Sequence, residues 1–298
     1  MVHYYKKLLL ILLLCVFVLI GGCTNDFTEQ KETTQQKGTT QQTIINTDFL
    51  DQYCIIAHAS GAISGETYLN SLESFIEHYN SGTRIFEIDF SFSSDDELIG
   101  VHYWGDLGSE YSSNNRMSLE EFEQTKIRNL YTGITYKNLL NLISTEYQDV
   151  YIVLDTKEAN YEKFFNKILS DAEEIDIDLL HHFIPQLYNE KMYLDVDEIY
   201  NFDYYIYTLY KTTASNNGVY TFLENHRKIV ILTVSTERIK SMNIEYIENI
   251  NNLDRFVFVH TVNSCECMQE YLDIGVTGIY SDTVTEDSYK EYINSHLT

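Results

Sequence analysis

From about residue 49 onward, short apolar runs alternate with longer stretches whose apolar residues recur every three or four positions. Eight of the runs have strand length and are rich in β-branched and aromatic residues: 54–58, 84–90, 149–155, 183–188, 204–210, 228–234, 255–261 and 276–280. Between the first two, Leu69, Leu72, Phe75, Ile76 and Tyr79 follow helical spacing, with Thr67 ahead of them and Gly82 behind. Ser118 precedes Leu119 and has Glu121 three positions on, the pattern of a capping box. Residues 161–169, 192–200 and 265–272 read as further helices, the last stopped by Gly275. Strands that alternate with helices predict a parallel sheet, and eight such units in roughly 250 residues predict an α/β TIM (β/α)8 barrel. The rival is an open doubly wound sheet. Ala59-Ser60-Gly61-Ala62, after the first strand, lacks the glycine spacing that such a sheet places there.

Two segments break the alternation. Residues 93–108 read as a hairpin around Asp95-Asp96 followed by an aromatic, glycine-bearing loop, and 108–117 read as loop. Together they make an extended loop after the second strand, long enough to suggest a functional excursion.

The polar residues that close the strands carry the candidate chemistry. His58 closes the first, Glu87 and Asp89 stand in the second, and His102 follows Leu98-Ile99-Gly100-Val101. Asp155 and Lys157 close the third strand. In a barrel all strand C-termini share one rim, so two imidazoles, three carboxylates and a lysine converge there. That set suits metal-assisted acid/base work on a phosphate. Glu87 and Asp89 are two apart and so face the same side of their strand; the alternative, an exposed acidic edge, fits poorly between Ile85, Phe86 and Ile88. Further rim candidates are Gln186, Tyr188, Tyr210, Lys211 and His260. Trp104, beside His102, is a candidate wall for an alkyl or sugar moiety. With 25 tyrosines in the chain, no single tyrosine is singled out by its type alone. His78, His181, His182 and His226 read as structural.

The N-terminus reads as a targeting segment. Lys6 and Lys7 precede an apolar run from Leu8 to Ile20, short of the ~20 residues that span a bilayer. Ile20-Gly21-Gly22-Cys23 then has the bacterial lipoprotein pattern of small residues before a lipid-bearing cysteine. The expected organisation is a signal peptide over 1–22, a tether over 23–48 and the TIM-barrel domain over 49–298. The tether is rich in Thr, Gln, Lys and Glu and nearly repeats Thr-Thr-Gln-Gln, too polar to bury a core. This predicts an extracytoplasmic protein held to the bacterial cell membrane through lipid on Cys23.

Charge narrows the partners. A formal net charge of −25 argues against nucleic acid, which needs basic patches, and against charge-driven adsorption to an anionic membrane. Cys54, Cys265 and Cys267 remain after the N-terminal cysteines, too few for a disulfide scaffold, and Cys265-Glu266-Cys267 lacks zinc-site spacing.

The chain resembles the glycerophosphodiester phosphodiesterase family, within the phosphatidylinositol-phospholipase-C-like barrels. The resemblance rests on His58 with Gly61, Asn70-Ser71-Leu72-Glu73-Ser74-Phe75, Gly82, Glu87-Ile88-Asp89, Val101-His102 and Leu154-Asp155-Thr156-Lys157. It continues through His260-Thr261-Val262-Asn263 and Gly275-Val276-Thr277-Gly278-Ile279-Tyr280-Ser281-Asp282, so it covers about residues 53 to 285. It implies a TIM barrel with a divalent metal, Ca²⁺ or Mg²⁺, on Glu87, Asp89 and Asp155, where hard oxygen donors suit either ion. It implies His58 and His102 as the acid/base pair and Lys157 as a neutraliser of phosphate oxygens, the alternative for Lys157 being a salt bridge to Asp155 or Glu158. Asn70 would orient the first loop or a ligand, or else cap the following helix. The implied reaction cleaves a small-molecule or envelope glycerophosphodiester to glycerol phosphate and an alcohol. A glycerol hydroxyl can attack first, and water then opens the cyclic phosphate. A lyase that stops at the cyclic phosphate and a non-catalytic ligand-binding lipoprotein are the competing readings.

The chain departs from the family at three points. Ala59-Ser60 stand where the family carries an arginine after the first histidine, which removes a bidentate phosphate clamp. Asp155 is one methylene shorter than the usual glutamate. Tyr103-Trp104 replace the common acidic residue after His102.

Overall fold

The computed structural model describes residues 45–210 and 212–296; the targeting segment, Cys23, most of the tether and Lys211 lie outside the described residues. Helix α1 (Asp48–Gln52) leads into β1 (Ile55–Ala57), α2 (Leu72–Asn80), β2 (Ile85–Phe92) and β3 (Leu98–Gly100). The excursion after β2 continues through α3 (Leu119–Gln124), a small hairpin of β4 (Lys126–Ile127) and β5 (Tyr131–Thr132), and α4 (Tyr136–Thr145). Then come β6 (Tyr151–Thr156), α5 (Tyr161–Ile175), β7 (Phe183–Leu187), α6 (Glu190–Ile199), β8 (Tyr205–Thr208), α7 (Asn216–Asn225) and β9 (Ile229–Ser235). The chain closes with α8 (Thr236–Ile239), α9 (Ile244–Asn251), β10 (Phe256–His260), α10 (Cys265–Asp273), β11 (Gly278–Ser281) and α11 (Glu286–His296).

β1, β2, β6, β7, β8, β9, β10 and β11 pair in that order, all parallel, and β11 returns to β1. This closed ring with helices between its strands is the expected TIM barrel. β3 adds to it antiparallel on the end of β2, with Phe90 opposite Gly100, as the hairpin reading predicted.

Period-two alternation sorts each strand into two faces. In β2, Phe86, Ile88, Phe90 and Phe92 point outward into the layer between strands and helices. Ile152 and Leu154 of β6, Val257 and Val259 of β10, and Tyr205 and Tyr207 of β8 do the same. Helices meet them with apolar faces such as Tyr136, Leu139, Leu140 and Ile143 of α4, whose N-terminus is capped by Thr135 Oγ1. Each such fully buried side chain contributes about 1.5–3 kcal/mol.

The inward face has a different composition at each end. Near the strand N-termini it is apolar: Ile56, Ile85, Val153, Ile184, Ile206 and Phe258 pack together, and Phe49 and Leu50 of α1 close that floor from below. Ile45, within the stretch expected to be tether, packs against the same floor. At the strand C-termini the inward positions become Glu87, Asp89, Asp155, Gln186, Thr208 and His260. The floor excludes water while the upper layer carries the chemistry.

Candidate active site

β2 and β6 run side by side with Glu87 opposite Val153 and Asp89 opposite Asp155. Three carboxylates therefore converge with oxygens within 4.8 Å of one another, and all three side chains are buried. Each is held by a neutral donor. The Ala59 amide donates to Glu87 Oε2 at 2.7 Å. Asn70 Nδ2 donates to Asp89 Oδ2 at 2.9 Å, and Asn70 Oδ1 accepts from the Asp89 amide. Gln186 Nε2 donates to Asp155 Oδ1 at 3.1 Å, Tyr188 Oη donates to the same oxygen, and Tyr280 Oη in turn donates to Gln186. Lys157 Nζ bridges Asp89 Oδ1 at 2.7 Å and Asp155 Oδ2 at 2.6 Å.

Burial pushes the Glu87 carboxyl well above the usual range, and Asp89 beside it adds to the effect. Burial works the same way on Asp89, but the Lys157 ammonium outweighs it and holds Asp89 low. Lys157 is desolvated, yet the fields of Asp89, Asp155 and Glu87 carry it far above its ordinary value. One lysine serves three buried carboxylates, and the cost of holding them together shows in the rise of Glu87. The donor set is all hard oxygen, with outer partners already fixing each carboxylate. These residues fit a divalent cation of the Ca²⁺ or Mg²⁺ kind.

Two imidazoles stand over this cluster. His58 follows β1 directly, and its Nδ1 lies 2.8 Å from Asp282 Oδ1, just beyond β11. Asp282 Oδ2 accepts from Asn263 Nδ2 at 2.7 Å and the Asp282 amide donates to Asn263 Oδ1, so the carboxylate is clamped. Burial opposes a charge on His58, but the Asp282 bond and the Glu87 and Asp89 fields lift it to about 9. His102 is delivered by the backbone after β3, where the Val101 amide donates to the Asp89 carbonyl. Burial lowers His102 despite Asp89, and its Nδ1 has no hydrogen-bond partner among the described residues. One imidazole is thus disposed to carry a proton and the other to accept one.

His58, Glu87, His102, Asp155, Lys157, Gln186, Tyr188, Tyr210 and His260 line one cavity of about 310 Å³, together with Tyr68, Tyr103, Thr208, Thr261 and Tyr280. His260 is pushed down to about 4, first by burial and then by His58, and stays neutral. Tyr103 and Tyr210 are exposed, 54% and 66%, at the mouth.

Several expectations change. Trp104 does not line the cavity: it is buried among Leu69, Val101, Leu107, Met117 and Phe122 beneath the long loop. Tyr103, one residue earlier, takes the wall instead. Asn70 does not cap α2; Ser71 does, accepting from the Ser74 amide, and Asn70 holds Asp89. Lys157 does make the ion pair to Asp155, with Asp89 as a second partner, while Glu158 belongs to Arg116. The sequence motifs contain Asn263 and Asp282 but assign them no role, and they do not single out Tyr68. Asp282 follows the strand-end rule that flagged His58 and was readable by it. Tyr68 carried no signal.

The fold and its rim define a (β/α)8 barrel with a carboxylate cluster and an imidazole pair at the strand C-termini. No protein-family model matches the chain, and no curated protein sequence matches it. Solved structures do. The glycerophosphodiester phosphodiesterase of Parabacteroides distasonis aligns with TM-score 0.63 and 15% identity over 83% of this chain and 98% of that one. The glycerophosphodiester phosphodiesterase of Thermotoga maritima gives 0.61 and 16% over 82% and 98%. An Oleispira antarctica phosphodiesterase, solved with the product sn-glycerol-3-phosphate, gives 0.62 and 16% over 82% and 96%. At these identities the likeness is one of fold, and the chain is built on the barrel these phosphodiesterases share.

Proposed function

We propose that the protein is a metal-dependent phosphodiesterase that cleaves a glycerophosphodiester to glycerol phosphate and an alcohol. The observation that carries the reading is a buried carboxylate triad under two imidazoles in one cavity, His58 paired with Asp282 and His102 with its Nδ1 unpaired among the described residues. The similarity in fold to phosphodiesterases, one of them holding glycerol phosphate, supports the same substrate class.

His102, neutral, takes the proton of the attacking hydroxyl as its oxygen bonds to phosphorus. His58, protonated through Asp282, gives a proton to the alcohol oxygen as the old phosphorus–oxygen bond breaks and a cyclic phosphate is left. With the roles exchanged, His58 takes a proton from the water that attacks phosphorus, and His102 returns its proton to the glycerol oxygen as the ring opens to glycerol phosphate. A divalent ion on Glu87, Asp89 and Asp155 would supply positive charge to the phosphate oxygens. Lys157 holds Asp89 and Asp155 in place and adds its charge from the same side. In this reading the chain is exported and anchored through Cys23, which gives the barrel access to envelope phosphodiesters.

The test is turnover of glycerophosphocholine and a chromogenic phosphodiester by the full chain with Ca²⁺, Mg²⁺ or chelator. His58→Ala and Glu87→Ala are run beside it, and lipid incorporation is compared with Cys23→Ala. Activity that needs the ion and both residues is expected. A folded, ion-binding protein that turns over neither substrate would move the reading to a ligand-binding lipoprotein.

A further inference from the structure

Tyr68 occupies a position that its residue type does not favour. Its φ is +61°, in the left-handed region that costs a side-chain-bearing residue about 1–2 kcal/mol. Neither glycine nor asparagine relieves that cost here. The phenol stands between the two imidazoles, its ring centroid 4.9 Å from that of His58 and 4.6 Å from that of His102. Tyr103 packs on it at 5.8 Å, nearly edge-on. Tyr68 lines the cavity and is half-buried there. A strained backbone that brings a hydroxyl donor between two imidazoles on a cavity wall points to a ligand.

The cavity also lacks an expected donor. A phosphodiester needs hydrogen-bond donors on its non-bridging oxygens, and guanidinium groups are the usual source. Among the described residues no arginine lines the cavity. Ala59 and Ser60 do not help. Both are buried, and Ser60 Oγ is engaged with Ser71 and Ser74. Gln186 and Tyr188 donate to Asp155, and Lys157 is spanned between Asp89 and Asp155. Arg116 and Arg128 are committed to Glu158 and to Glu66 with Asp106.

We infer that Tyr68 is a phosphate-contacting residue, its hydroxyl donating to a non-bridging oxygen of a phosphodiester or phosphate held between His58 and His102. It takes over, as a neutral donor, part of the work of the absent clamp. Its ring also separates the two imidazoles, so that donor and proton-transfer groups share one rigid wall. The inference rests on the proposed phosphodiesterase reading for its substrate, but not for its ligand chemistry.

Tyr68→Phe removes the hydroxyl and keeps the ring. With Mg²⁺ present, calorimetric titration of the full chain with inorganic phosphate should show affinity falling roughly 10- to 150-fold, the range for one hydrogen bond to a charged group. kcat/KM for glycerophosphocholine should fall by a similar factor, with an unchanged melting temperature and unshifted pH limbs. Tyr68→Asn, which suits the left-handed backbone, should also lose activity without loss of melting temperature. Phosphate binding that is absent from the wild type, or unchanged in Tyr68→Phe, overturns the assignment. If the wild type turns over no phosphodiester but Tyr68→Phe still weakens phosphate, the catalytic reading falls and the phosphate contact stands.

Discussion

The His58–Asp282 contact is the place to press the catalytic reading. Asp282→Asn keeps the shape and removes the charge. The carboxylate now accepts two donors, Nδ1 of His58 on one oxygen and Nδ2 of Asn263 on the other. An amide has one acceptor oxygen, so its NH2 must confront one of them. If the oxygen stays with Asn263, His58 must turn its unprotonated Nδ1 to the amide. The ring then holds its proton on the other nitrogen and loses its counter-ion. The bond at stake is charge-assisted, worth about 1.5–3 kcal/mol, or roughly 10- to 150-fold in rate at 1.36 kcal/mol per decade. A second estimate comes from protonation. With His58 at about 9, most of it is protonated at pH 8; a return to the ordinary value near 6.5 would cut that fraction by about 30-fold. Glu87 and Asp89 still support the charge, so 30-fold is an upper figure for that effect. The assay is kcat/KM on a chromogenic diester from pH 5.5 to 9.5. The expected result is a loss of one to two decades at pH 8, with the basic limb moved to lower pH. A variant with wild-type rate and an unmoved basic limb would refute both the dyad and the assignment of His58 as the acid.

Three further outcomes follow from the same geometry. His58 is raised in the folded state, so its contribution to stability is complete below its unfolded value near 6.5 and is lost as pH rises through about 9. Urea melts of ion-free protein should therefore lose up to about 3 kcal/mol between pH 6 and 9.5, and Asp282→Asn should flatten that slope. Mg²⁺ or Ca²⁺ at a hundred times its dissociation constant should stabilise the fold by about 2.7 kcal/mol, read as a rise in melting temperature; Glu87→Gln should remove most of the rise, and a wild-type melting temperature indifferent to both ions would count against the metal site. Gly61 has φ +89°, and a Cβ there would come within 2.4 Å of the buried His78 ring. Gly61→Ala should cost roughly 2–4 kcal/mol from strain and overpacking combined and lower turnover through the His58 loop, so a variant within 0.5 kcal/mol of wild type in denaturant titration would contradict this packing.

The barrel was legible because its strands advertise themselves twice, by apolar content and by where that content stops. Glu87, Asp89 and Asp155 could be placed together from a period of two and a shared rim. What a linear reading lacks is direction at loops and partners far away in sequence. Trp104 was assigned by proximity to His102, but consecutive residues face opposite ways: Tyr103 turns to the cavity mouth and Trp104 into the core beneath the loop. Asp282 meets His58 across 224 residues, a contact that exists only once β11 closes on β1. Tyr68 depends on a left-handed φ that no local pattern announced. Helix α4 is a different case: Tyr136, Leu139, Leu140 and Ile143 have full helical spacing, yet the stretch between the Ser118 helix start and the third strand went unmarked.

The net charge of −25 has a kinetic consequence at this site. A phosphodiester such as bis(4-nitrophenyl) phosphate carries one negative charge and approaches an acidic surface, whereas glycerophosphocholine carries no net charge. The attraction supplied by Lys157, His58 and a bound divalent ion is local, while the repulsion acts over the whole approach. Raising ionic strength from 0.01 M to 0.15 M shortens the screening length from about 30 Å to about 8 Å, which removes the long-range repulsion before the short-range attraction. kcat/KM for the anionic diester should therefore rise severalfold over that range under fixed free Mg²⁺, and that for glycerophosphocholine should stay nearly flat. A fall with salt for the anionic substrate would mean that the rim attracts anions from a distance, and that the acidity lies where the substrate does not pass.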